Sequence, residues 1–178
     1  MNNTETIYFL VNTQLESFKK GRVLGPLQYA HVLHAFEESG NRNGHLLYQL
    51  EDDPGLLQRI DAESFQELEI PDQEFIGRRQ GYIVRIDGYW LSKWIEVMLQ
   101  QSRHSDNSFA VHYLPTATHP MQPIVGEGKN LETAMDHLGE LLGAHRDVLH
   151  AVPDGYLNKD LFFQLQYLSS IIHPGSRE

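Results

Sequence analysis

The sequence predicts an α/β or α+β fold, with a mixed sheet of about four to five strands and about four main helices. Three observations lead there. Apolar residues alternate with period two in some segments and recur at helical spacing in others. A strand, a helical pattern and a second strand follow one another across residues 81–114 with short links. Finally, 40% of the 178 residues are hydrophobic, and 8 Phe, 8 Tyr and 2 Trp give a core enough material to exclude a disordered chain.

Residues 5–12 read as a strand. Ile7, Phe9 and Val11 alternate with Tyr8 and Leu10, so both faces should be covered. Lys19, Lys20, Gly21 and Arg22 make a small basic turn. Gly25-Pro26 breaks the chain before a helix over 27–39, which Gly40 closes. Tyr29, Val32, Leu33 and Phe36 share one face of it. Asn41-Arg42-Asn43-Gly44 is a turn by composition, and 45–50 is a strand.

Within 51–74, Asp53 before Pro54 reads as a helix cap followed by proline at the first helical position. Asp61 would cap a second short helix over 62–68 that buries Phe65 and Leu68. Residues 81–87 alternate clearly, and Asp87-Gly88 would start a helix over 89–101. In that helix Trp90, Leu91, Trp94, Ile95, Val97, Met98 and Leu99 cover more than the ~100° stripe an ordinary surface helix needs. Residues 109–114 form the next strand, which makes a parallel, right-handed crossover the expectation. Three prolines mark 115–123 as a loop, and 124–125 is a short strand. Asn130 caps a helix to about 150, and a last helix covers 156–173. The chain reads as one domain over 1–178, with 51–74 the best candidate for an insertion.

Composition removes several functions. Without cysteine there is no disulfide scaffold, thiolate zinc site, iron–sulfur cluster or cysteine nucleophile. No segment approaches the ~20 apolar residues of a membrane span, and the start lacks the basic region of a secretory signal. A soluble, cytoplasmic protein without a cofactor or a membrane partner is the expectation.

The net charge of −10 is unevenly placed. Residues 51–74 hold nine acids, Glu51, Asp52, Asp53, Asp61, Glu63, Glu67, Glu69, Asp72 and Glu74, against Arg59 alone, and so carry −8. Such a field repels nucleic-acid phosphates and attracts basic surfaces. It points to docking of a basic protein partner, or to mimicry of nucleic-acid phosphates. A face that only aids solubility is the plain alternative. Basic residues are too scattered for direct nucleic-acid binding.

Other constellations carry residue types suited to chemistry. His31, His34 and Glu38 share a helix face and could supply three zinc ligands. His145 falls in the apolar arc made by Leu138, Leu141, Leu142, Val148 and Leu149, opposite Asp136, Glu140 and Asp147. It reads as a hydrogen-bonded structural histidine of the core; if there is an active site, it is the first residue to test as a general base, and His112 the second. Gly126-Glu127-Gly128-Lys129-Asn130 fails as a phosphate-binding loop, because Pro123 stands where the first glycine belongs and Asn130 where a hydroxyl does. Trp90, Trp94, Phe163 and Tyr167 are interface candidates on faces beyond one core. The leading expectation is a non-catalytic interaction protein. The alternatives are a small histidine- or metal-dependent enzyme and a structural homodimer subunit.

Overall fold

Strands of a computed structural model pair in antiparallel fashion throughout the described residues, which are 6–16, 19–39, 44–51, 57–62, 64–67, 75–83, 86, 89–92, 95–102, 109–113 and 124–174. The elements run β1 (Ile7–Asn12), β2 (Val23–Leu27), α1 (Tyr29–Ser39), β3 (His45–Leu50), β4 (Leu57–Asp61), β5 (Gln66–Glu67), β6 (Phe75–Ile83), β7 (Tyr89–Leu91), β8 (Ile95–Ser102), β9 (Phe109–Tyr113), β10 (Val125–Gly128), α2 (Leu131–Ala151), α3 (Lys159–Ile171) and β11 (Ile172–Pro174). Strand and helix are mixed, as predicted. Among the described residues there are three α-helices rather than four. No described helix is long and apolar enough to cross a membrane. The chain divides into two units, one of residues 1–69 and 147–165, the other of 70–146 and 166–178.

In the first unit, five strands lie in the order β2-β1-β3-β4-β5. One face packs on α1, where Leu10, Val32, Phe36, Leu47 and Ile60 form a buried cluster. Ile7, Phe9 and Val11 alternate with Leu10 and are buried too, so β1 is covered on both faces. The turn at 19–22 closes through Arg22 N–H on Lys19 O at 3.1 Å, with Gly21 at φ +85°. Strand β2 was not foreseen. Its extra residue bulges at Gly25-Pro26, where φ is +146° and any Cβ would stand 2.6 Å from the Phe9 ring.

The short helices predicted in the acidic segment are not formed in its described part. Residues 57–61 are strand β4, paired with β3 from Leu47↔Ile60 to Leu50↔Leu57. A turn then leads into β5, with Phe65 N–H on Asp61 O at 2.8 Å. Leu57 and Ile60 are buried, and pairing beside β3 wins over a local helix too short to persist alone.

In the second unit, β10-β9-β8-β6 form a four-stranded sheet and β11 pairs with β7. The helix predicted over 89–101 is β7 followed by β8. The residue types explain this: Tyr, Trp, Ile and Val favour strands. Ile95, Val97 and Leu99 alternate with Glu96, Met98 and Gln100. A period-two pattern drawn at helical spacing spreads apolar positions around the wheel, which is why the arc looked too wide. The parallel crossover disappears with that helix, since β8 lies antiparallel between β6 and β9.

Helix α2 begins where Asn130 predicts. Asn130 Oδ1 accepts from Thr133 N–H at 2.8 Å. The short strand predicted at 124–125 is β10, which runs on to Gly128. Strand β10 lies close on α2, and a Cβ on Gly126 would stand 2.4 Å from Leu138 N and 2.5 Å from Ala134 O. Helix α3 starts later than predicted. Residues Asp154–Tyr156 form a single 3-10 turn, and Asn158 Oδ1 caps α3 through Leu161 N–H at 2.9 Å.

Candidate functional site: an aromatic and acidic surface

Three rings meet on the α1-bearing side of the first unit's sheet. Tyr8 comes from β1, in register with Leu27 of β2 and Gln49 of β3. Its side chain lies on the Leu10 side of β1, since residues two apart share a face. Tyr29 opens α1 and is half exposed. Phe65 comes from the β4–β5 turn. Tyr29 and Phe65 lie 4.6 Å apart between centroids at 54°, Tyr8 and Phe65 5.9 Å at 75°, and Tyr8 and Tyr29 6.3 Å at 64°. These inclined arrangements suit the quadrupoles of aromatic rings.

The turn that presents Phe65 is fixed by the acidic segment itself. Asp61 accepts Ser64 Oγ–H at 2.9 Å through its carboxylate, and its carbonyl accepts Phe65 N–H. Phe65 has φ +54°, a left-handed conformation costly for a residue with a Cβ. The ring packing against Tyr8, Tyr29 and Phe36 holds it there.

Charge enters through Glu51, which is exposed just after β3. Gln49 Nε2 donates to Glu51 Oε1 at 2.7 Å. Burial raises the Tyr8 phenol above its ordinary 10.0, and the Tyr29 phenol and the Glu51 carboxylate push it further the same way. A carboxylate, two phenols and an apolar ring thus share one surface. Such a surface suits a guanidinium or an ammonium group.

Of the acids named from sequence, Glu51 stands beside these rings. Asp61 is half-buried and braces the turn. Glu67 lies in β5, opposite Ile60. Asp52, Asp53, Glu63, Glu69, Asp72 and Glu74 fall outside the described residues, as does Trp94. Tyr8, Tyr29 and Phe65 as a cluster were missed. Sequence periodicity places Tyr29 and Phe65 on core faces, and only strand register brings Tyr8 beside them.

The other candidates disperse. Trp90 stacks on His173 at 4.3 Å across the β7–β11 pair. Phe163 and Tyr167 of α3 are half-buried, while neighbouring Phe162 is 46% exposed. His34 Nε2 pairs with Glu38 Oε1 at 3.2 Å on the exposed face of α1. Among the described residues no group of three or more His, Cys, Asp or Glu is gathered to hold a metal. His112 sits in β9 opposite Val125 and Met98.

His145 is buried, as its place in the apolar arc predicts, but Arg146 and Asp147 are buried with it. Asp147 was expected on the polar side of α2. Instead Arg22 Nε lies 3.0 Å from Asp147 Oδ2, and the two side chains are 4% and 6% exposed. Arg22 is therefore no member of a solvated basic cluster. No protein-family model matches this sequence, and no curated protein or solved structure resembles it closely enough to count as a match.

Proposed function

We propose that this chain is a non-catalytic interaction module whose acidic face docks a basic protein segment, as an inhibitor, an immunity-type factor or an adaptor does. The observation that supports this reading is the meeting of Tyr8, Tyr29 and Phe65 with Glu51, at the head of a segment carrying −8. Acids alone would serve solubility, and half-exposed rings beside them would not. An arginine or lysine laid over Tyr29 gains about 0.5–2 kcal/mol from the ring, depending on how far it is desolvated. The excess of carboxylates in residues 51–74 would speed encounter and select against acidic partners.

The test is fluorescence anisotropy with a labelled arginine- and lysine-rich peptide, titrated at low and at physiological ionic strength. Wild-type binding should weaken steeply with salt. Tyr29→Ala should weaken it about tenfold, worth ~1.4 kcal/mol, with an unchanged salt slope. Glu51→Lys should weaken it and flatten the slope. Glu63→Lys with Glu67→Lys should abolish it while circular dichroism stays unchanged. If Tyr29→Ala binds as wild type does, the attraction is net charge alone and the docking reading fails.

A further inference from the structure

We infer that the second unit holds a binding site for a carboxylate-bearing small ligand, built on Arg146 of α2 and Tyr89 of β7. Arg146 is 8% exposed. Its Nη1 donates to the Tyr89 hydroxyl at a long 3.3 Å, and its Cζ stands 4.9 Å from the Tyr89 ring centroid. Its Nε is buried without a hydrogen-bond partner. Among the described residues no carboxylate lies within ion-pair distance of it. The neighbouring Asp147 carboxylate is taken by Arg22.

A guanidinium stays charged in a protein, so burial does not neutralise it as it would a lysine. Among the described residues this buried cation has one phenol and one ring face as partners and no counter-charge. A buried polar atom left bare in a folded chain calls for a partner, whether an ordered water, an ion or a ligand. The Nε edge of a guanidinium is one side of a planar fork that accepts an oxyanion through two parallel hydrogen bonds.

Charge decides which oxyanion. One arginine offers +1 in a largely enclosed place, and a monocarboxylate matches it one to one. A phosphate group carries about −1.5 to −2 at neutral pH and would leave excess negative charge buried. Tyr89 engages the fork through Nη1, which leaves the Nε edge for an oxyanion.

The experiment measures thermal unfolding of the full chain in acetate, in inorganic phosphate and in sodium chloride at matched ionic strength. Acetate should raise the midpoint in a saturable way, beyond both other salts. Arg146→Met should abolish the response, and in plain buffer it should unfold no lower than wild type, because it removes an uncompensated cation. Arg146→Lys should weaken the apparent affinity about tenfold, because it loses the bidentate fork. Should Arg146→Met fail to fold, Tyr89→Phe carries the test: it keeps the ring and should weaken the acetate response several-fold. A larger shift in phosphate than in acetate would overturn the carboxylate assignment. Equal shifts in all three salts, or an undiminished acetate response in Tyr89→Phe and Arg146→Lys, would overturn the site.

Discussion

Arg22 and Asp147 lie 125 positions apart in the chain, yet Arg22 Nε sits 3.0 Å from Asp147 Oδ2 with both side chains almost wholly buried. The contact is an ion pair by distance and is not aligned as a hydrogen bond. Arg22 Nη1 also donates to Leu15 O. The pair therefore ties the link between β1 and β2 to the C-terminal part of α2 within the first unit. Such pairs contribute little net stability over an apolar substitute, but they specify which segments meet.

Asp147→Asn keeps the shape and leaves the Arg22 guanidinium buried without its counter-charge. Urea unfolding should report a loss of about 3–5 kcal/mol. Arg22→Met with Asp147→Leu should recover most of that loss, because both charges go together. If the double variant is as unstable as the single one, the pair is not the source of the cost.

Gly126 and Gly155 should respond oppositely to the same substitution. Gly126→Ala sets a methyl against the α2 backbone at Ala134 and Leu138, which cannot rotate aside. It should cost about 3 kcal/mol or more, at the upper end of overpacking. At Gly155 nothing stands within 4 Å of the added carbon. Gly155→Ala should stay within about 0.5 kcal/mol of wild type or gain slightly by restricting the unfolded chain. Equal midpoints for the two variants would show that β10 does not lie so close on α2.

What was legible in the sequence follows from how local each signal is. The cap at Asn130 and the two-sided burial of β1 rest on neighbours within a few positions, and both appear. The 89–101 segment misled because a strand and a helix compete for the same apolar residues, and only pairing with β6 and β9 decides. Asp147 misled because a helical wheel treats a carboxylate as outward-facing and cannot see a buried arginine over a hundred residues away. The cluster of Tyr8, Tyr29 and Phe65 needs strand register and a positive-φ turn, neither of which has a signature in the run of residues.

Phe65 pays for its backbone with its ring. Phe65→Asn places a residue tolerant of positive φ there and relieves roughly 1 kcal/mol of local strain. It also removes the ring from Tyr8, Tyr29 and Phe36. The ring loss should win, leaving the protein about 1–2 kcal/mol less stable, below the ~3–5 kcal/mol of a fully buried Phe. Chemical denaturation checks this, and a variant more stable than wild type would mean the ring is not what holds the turn.

Tyr8 should make stability fall in alkali. In the unfolded chain its phenol ionises near 10.0, whereas in the folded chain burial first, then Tyr29 and Glu51, hold its proton to higher pH. Below 10.0 both states keep the proton and Tyr8 adds no pH dependence. Above it the unfolded chain releases the proton while the folded one retains it, so stability declines as pH rises toward the folded pKa. Phenolate absorbance, taken as the difference between wild type and Tyr8→Phe, isolates this one of 8 tyrosines. Glu51→Gln should move the titration part of the way back, and Tyr29→Phe should do the same. Together they should still leave part of the shift, because burial is its largest single cause. A Tyr8 that titrates at its ordinary value in the folded wild type would place its ring in open solvent and dissolve the three-ring cluster with it.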